Sequence, residues 1–228
     1  MPFFMFDTTL MLPLLAAFIL ALWAQFKVKS TYAKYAEVGN RAGLTGADVA
    51  QLILKEANVD LAGNGRGGRS NGIECIGGQL TDHYDPRDRT LRLSEDVYYG
   101  RSVAALGIAA HEVGHAIQHA RMYSPLMLRN VIYPVCSIGS TLAFPLFFLG
   151  MFVPVGMGRL VMDVAILMFS LSVFFTLLTL PVEFDASRRA LKALAGSGYL
   201  QQDELVGARK VLSAAAMTYV AAAAMAVL

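Results

Sequence analysis

The sequence predicts a mainly α integral membrane protein of three or four transmembrane helices that carries a small α+β domain. Three observations predict it. Of the 228 residues 56% are hydrophobic and only 16% are charged, against roughly 25% charged in soluble domains. Several uncharged runs approach the roughly 20 residues an α-helix needs to cross a bilayer. The polar residues are also gathered, since eighteen of the 19 Lys and Arg lie in residues 26–129 and 183–210 and only Arg159 lies elsewhere. A net charge of +2 leaves no strong footprint for nucleic acid. Cys75 and Cys136 are the only cysteines, far apart, so neither a disulfide framework nor a thiolate zinc knuckle is expected and both are read as reduced.

The first element is Thr8–Gln25, 18 uncharged and mostly apolar residues. No Lys or Arg precedes it and no small-residue cleavage site follows, so an uncleaved span fits better than a signal peptide. Lys27, Lys29 and Lys34 come directly after it. Thr45-Gly46-Ala47-Asp48 has the form of a helix N-cap with an acid at N3, opening a helix to about Asn58 that buries Val49, Leu52 and Ile53. Gly63 to Gly78 is glycine-dense. Its GNGRGG matches G-x-G-x-x-G, but no strand precedes it and no helix opens there, so a flexible loop is expected rather than a phosphate cradle. Leu80–Tyr84 and Thr90–Ser94 flank the turn-rich Asp85-Pro86-Arg87-Asp88-Arg89 and predict a β-hairpin.

Ser102 to Arg121 follows, a helix apolar nearly all round and therefore read as buried, with Ser102 as its N-cap. It contains His111-Glu112-Val113-Gly114-His115. H-E-x-x-H on a helix sets two imidazoles one turn apart on one face, within reach of a single Zn²⁺ with bonds of about 2.0–2.1 Å. Glu112 projects about 100° away from His111, toward a water on the ion rather than the ion itself. A metal lowers the pKa of such a water toward roughly 7, and Glu112 is then its base. Two His and a Glu in a buried helix without a metal would be costly. The pattern predicts zinc-dependent hydrolysis of peptide bonds in a zincin-like catalytic domain. The second hairpin strand, just ahead of this helix, is where an extended peptide would dock by strand addition.

After it, Asn130–Gly158 has no charge in 29 residues and holds a span, Arg159–Val182 holds another, and Val211–Leu228 is an Ala-rich tail that either spans or packs on the others. The expected organisation is an N-terminal transmembrane helix over 1–25, the catalytic region with its H-E-x-x-H helix over 26–129, and two transmembrane helices over 130–182. A helix over 183–210 and an apolar C-terminal helix over 211–228 complete it.

A catalytic zinc needs three protein ligands. His119 continues the spacing of four from His111 and His115, but eight residues of helix rise about 12 Å, so it is read as structural. Two spans cross and return, which brings Glu183 to the side of His111. Glu183 heads EFDASRRALKAL, a helix with Ala186, Ala190, Leu191 and Leu194 on its apolar face. An acid there is also favoured by the helix dipole alone, but the required third ligand selects it.

HEVGHAIQ, LTDHYDPRDRTLRLS and PVEFDASRRAL together resemble the YugP-like membrane zinc metallopeptidases, over about Thr45 to Leu194. The resemblance implies a zinc-dependent peptidase with His111 and His115 as metal ligands and Glu112 as general base. More distantly the chain is similar to the HtpX-type and prenyl-protein-processing membrane gluzincins, whose third ligand is the Glu of an E-x-x-x-D helix. Glu183 matches that Glu, but Ser187 stands where the Asp would be. Asp185 is a candidate to support a ligating imidazole instead.

The reading is a membrane-bound endopeptidase acting on peptides or membrane proteins in the lipid bilayer, with no nucleic-acid partner. His83, Tyr98, Tyr99 and Arg188 are unranked candidates for the oxyanion donor. An intramembrane protease is disfavoured, because Ser102–Ala120 carries four ionisable residues and no Asp-containing partner segment. The rival from another class is a non-catalytic scaffold or chaperone with a structural metal, which a fourth ligand would mark. Lys27, Lys29, Lys34, Arg188 and Arg189 lie close to span ends, where basic residues favour the inner side. The expected location is therefore a bacterial-type cytoplasmic membrane with the catalytic side in the cytoplasm, which agrees with reduced cysteines.

Overall fold

The computed structural model describes residues 8–61 and 72–228. The elements are α1 (Thr8–Ala36), α2 (Gly46–Glu56), β1 (Ile73–Ile76), β2 (His83–Asp85), β3 (Thr90–Ser94), α3 (Glu95–Tyr98), α4 (Val103–Ala120), α5 (Ser124–Phe152), α6 (Val155–Gly196) and α7 (Gln202–Val227). The protein is thus mainly α-helical with one three-stranded sheet. Among the described residues four helices, α1, α5, α6 and α7, are long and apolar enough to cross a membrane. The GNGRGG segment lies outside the described residues.

The chain divides into two compact units. One comprises residues up to 21, 124–182 and 219–228. Its helices approach closely where side chains are small, as expected where dispersion rather than water exclusion drives packing. Gly139 faces the Met168 backbone and Gly150 faces Gly158. The long uncharged run from Asn130 to Gly158 hides a turn: α5 ends at Phe152 and α6 begins at Val155. Pro154 sits in that break, where its carbonyl accepts from Gly158 N–H at 2.9 Å.

The other unit comprises residues 22–123 and 183–218. Its core is where α2 packs on α4: Val49, Ala50 and Ile53 meet Val103, Leu106, Ala109, Ala110 and Val113, all buried. Burying a side chain of Val or Leu size contributes roughly 1.5–3 kcal/mol, which holds α4 along most of its length. Local signals set the ends of both helices. Thr45 and Asp48 form a reciprocal capping box on α2, and the Ser102 hydroxyl accepts from Ala105 N–H at 3.1 Å on α4. Asn40 fastens the segment after α1 to the start of α4, its backbone N–H donating to Arg101 O at 2.8 Å and its side chain donating to Leu44 O at 2.8 Å.

The sheet has the order β1-β3-β2. β2 and β3 form the expected hairpin, with Tyr84 opposite Leu91, although its first strand starts only at His83. β1 was not expected, since Ile73–Ile76 lies within the glycine-dense stretch; it pairs parallel to β3 with Glu74 opposite Arg92. Arg92 then ties the sheet together, its guanidinium reaching Glu74 and Asp85 at 3.2 Å each, and Asp88 in the turn. This pairing corrects the expected docking strand. β3 is bonded on both sides, so β2, not Thr90–Ser94, is the edge strand beside α4.

A second correction concerns Glu183. EFDASRRALKAL does not open a helix of its own but continues α6, which runs unbroken from Val155 to Gly196 through Pro181. Ala186, Ala190 and Leu194 are nonetheless its buried face.

Candidate metal centre

The geometry of the site begins at Gly114. A Cβ built there would lie 2.6 Å from the Ala186 carbonyl oxygen and 3.1 Å from Ala186 Cα. Only glycine lets the backbones of α4 and α6 come this close. His111 lies one turn before Gly114, and Glu183 one turn before Ala186, so this contact sets the two side by side. His111 Nε2 is 3.2 Å and His115 Nε2 3.5 Å from Glu183 Oε2. One donor atom from each of the three residues lies within 4.8 Å of the others, so the group could hold a metal ion.

The donor set fits zinc, and the nitrogens turned away from it are occupied. Ser187 Oγ sits 3.1 Å from His111 Nδ1. On the second ring, Gln118 Oε1 sits 3.0 Å from His115 Nδ1, and Gln118 Nε2 donates to Asp185 Oδ2 at 2.9 Å. A carboxylate only accepts, so Asp185 fixes which end of the Gln118 amide faces His115. An amide oxygen there accepts the proton of His115 Nδ1, so with an ion bound Nε2 would be the nitrogen that presents its lone pair to it. Arg189 anchors Asp185 in turn, with its guanidinium 5.7 Å from the centre of the Tyr123 ring. Asp185 therefore supports an imidazole through Gln118 rather than by direct contact, and Ser187 itself partners His111. Such outer partners orient metal-binding histidines.

Glu112 is buried, and the backbone N–H of Tyr84 in β2 donates to its Oε2 at 3.1 Å. Burial pushes its carboxyl pKa up, against the pull of the His111 and His115 imidazoles. Burial is the largest influence on His115 as well and lowers it, but the hydrogen bond and charges from Glu183 and Glu112 outweigh it and leave the imidazole raised. His119, half-buried, does not join the group: its Nδ1 is 2.8 Å from the Tyr84 hydroxyl. That hydroxyl is pushed up to about 12, chiefly by burial.

The four oxyanion candidates sit in unlike places. His83 is exposed, with Nδ1 2.7 Å from the Thr81 carbonyl. A carbonyl accepts only, so Nδ1 carries a proton and is committed to Thr81. Tyr98 and Tyr99 pack edge to face, centroids 4.8 Å apart, and Tyr99 is 66% exposed. Arg188 is exposed and acts on Asp185 by charge.

Three partners escaped the sequence reading: Gly114, Gln118 and Tyr84. A glycine in mid-helix costs roughly 1 kcal/mol against alanine, and that cost was the signal that Gly114 serves a close approach. Gln118 lies three residues after His115, on its face. Nothing local marks the Tyr84 N–H.

Helices long and apolar enough to cross a membrane, together with a His–His–Glu group that could hold a metal ion, define a candidate membrane metalloprotein. The chain is a member of the family described as "Putative neutral zinc metallopeptidase", whose model matches residues 10–228. It is 48% identical over 211 residues to the "Putative membrane protease YugP" of Bacillus subtilis (strain 168), over 92% of this chain and 88% of that protein. No solved structure matches it.

Proposed function

We propose that this chain is a membrane-bound zinc endopeptidase in which His111, His115 and Glu183 hold the ion and Glu112 is the general base. The observation that carries the reading is the convergence of the three donors with both outward imidazole nitrogens already partnered. When bound, zinc would lower the pKa of a coordinated water and polarise the scissile carbonyl. Glu112 would take the water's proton and return it to the leaving amine. Burial shifts its pKa upward, the direction that favours holding the proton it takes. The Tyr84 N–H holds its second oxygen in place. Ser187 and Gln118 keep the imidazoles oriented.

Among the described residues the group has three members, not four. Three protein ligands leave a position for water, whereas structural sites are closed by a fourth. That favours catalysis over a scaffold or chaperone with a structural metal. The clustering of basic residues after the first span supports a cytoplasmic catalytic side.

The test is zinc analysis with a peptidase assay on the full chain in detergent. Glu112→Gln should keep its zinc and lose activity by a factor of about 10²–10⁴, while His111→Ala should lose the metal. A metal-replete Glu112→Gln protein with wild-type turnover would remove Glu112 from the role.

A further inference from the structure

A groove of about 600 Å³ lies between the second half of α1 and the first half of α7, apart from the metal centre. Four cations line it, Lys27 and Lys34 from α1 and Arg209 and Lys210 from α7, and no carboxylate does. Lys27 and Lys34 are two turns apart on one helix face, and Ser213 stands one turn beyond Arg209 on the other.

Among the described residues these charges lack carboxylate partners. Lys34 lies 5.7 Å from the centre of the Tyr35 ring. The acids at the start of α7 are committed elsewhere: Asp203 pairs with Arg41, and Glu204 accepts the backbone N–H groups of Arg41 and Gln201, each at 2.7 Å. Four like charges around one groove repel one another unless an anion enters. The groove is also built rather than incidental. At its wall Tyr35 seats against Gly207, where a Cβ would come within 2.7 Å of the ring.

Its position identifies the anion. The apolar run of α1 ends at Gln25, two residues before Lys27, and the apolar run of α7 begins at Val211, directly after Lys210. Both helices thus change from lipid-compatible to basic sequence at this groove. Trp23, 47% exposed, lines it on the apolar side, the side-chain type enriched at the headgroup level of a bilayer. Basic pockets between membrane helices suit acidic headgroups, and the volume is that of a small-molecule site.

We propose that this groove binds the phosphate headgroup of an anionic glycerophospholipid, with Lys27, Lys34, Arg209 and Lys210 as its cations. Each basic residue near an acidic headgroup is worth roughly fivefold in affinity, so removing three should weaken binding about a hundredfold. Bound lipid should raise the thermal midpoint, because it binds the folded chain alone.

The experiment uses the full chain in nanodiscs of phosphatidylcholine, with and without phosphatidylglycerol. Retained lipid is read by native mass spectrometry after mild delipidation, and the thermal midpoint by circular dichroism. Wild type should retain phosphatidylglycerol selectively and melt higher with it. Lys27→Gln/Arg209→Gln/Lys210→Gln should do neither, and Lys27→Arg/Lys210→Arg should do both. Equal retention of phosphatidylcholine by wild type, or undiminished phosphatidylglycerol on the triple glutamine variant, overturns the proposal. So does an equal rise in midpoint with inorganic phosphate alone, which would make the groove a free-phosphate site. If the triple variant is unfolded, wild type and Lys210→Gln decide. Phosphatidylglycerol affinity should fall steeply with ionic strength and about fivefold in Lys210→Gln. Indifference to both overturns the proposal.

Discussion

Two glycines of α4 should respond in opposite ways to the same substitution. Gly107→Ala adds a methyl group 3.5 Å from Ala208 Cβ, an ordinary contact. It should gain most of the roughly 1 kcal/mol that separates glycine from alanine in a helix, and leave zinc binding alone. Gly114→Ala adds the same methyl group 2.6 Å from Ala186 O. Reaching the 3.4 Å of normal contact requires the two backbones to part by about 0.8 Å. Overpacking of this kind costs typically 1–3 kcal/mol, more than the helix-propensity gain. The same displacement carries Glu183 away from His111 and His115, now 3.2 and 3.5 Å from it. Zinc–ligand distances tolerate only about ±0.2 Å, so zinc affinity should fall by at least about tenfold. The assay is competition with a chromogenic chelator, alongside a thermal melt, on both variants and wild type. A Gly114→Ala protein that holds zinc as tightly as wild type would refute the claim that the close approach builds the site.

Three further outcomes are expected. Ser187→Ala removes the partner of His111 Nδ1 and should weaken zinc binding by about 10–100-fold, while Ser187→Asp should bind at least as tightly as wild type; equal zinc affinity in all three proteins would show that the 3.1 Å contact does not orient the ring. Asp82 is a half-buried carboxyl whose pKa is raised by desolvation, against hydrogen bonds from Ser94. Its folded form holds its proton to higher pH than its unfolded form, so this residue makes stability fall as pH rises above the unfolded value near 3.9. Asp82→Asn should flatten that part of the profile between pH 4 and 7, and an unchanged slope in thermal midpoints would count against it. A reporter fused after Leu194 should be silent as alkaline phosphatase and active as a cytoplasmic enzyme; the reverse pattern would invert the proposed orientation.

What the sequence made legible was whatever depends on neighbours along the chain. The Thr45–Asp48 capping box, the Ser102 cap and the turn between β2 and β3 each need only a few consecutive residues, and all are present. β1 was missed because Ile73–Ile76 is a four-residue run inside a glycine-dense stretch; it becomes a strand by pairing with β3, about eighteen residues on. The end of the span near Gly158 was missed because an uncharged sequence does not show where a helix stops. Glu183 could be nominated from chain topology and a required ligand count, but neither argument says how a side chain on α6 approaches two on α4.

That approach rests on a single crossing, and the crossing explains why the supporting residues were harder to read than the donors. Once Gly114 meets Ala186, the helical repeat assigns every neighbour: Glu183 falls beside His111, and Ser187, one turn later, comes to the far side of the same imidazole. Asp185 is rotated off that face, so it cannot replace an aspartate at position 187 by direct contact. It meets Gln118 instead and acts on the other histidine. Spacing within one helix shows which groups share a face, but only the contact between two helices shows which histidine each group serves. Ser187 is the sharpest instance, because its residue type departs from the E-x-x-x-D pattern while its position keeps the geometry. A hydroxyl can accept the Nδ1 proton as a carboxylate would, but without the negative charge. The His111 ring is then oriented by a neutral partner rather than an anionic one. A site built this way should bind zinc less tightly than its Ser187→Asp variant, and chelator competition would show that order directly.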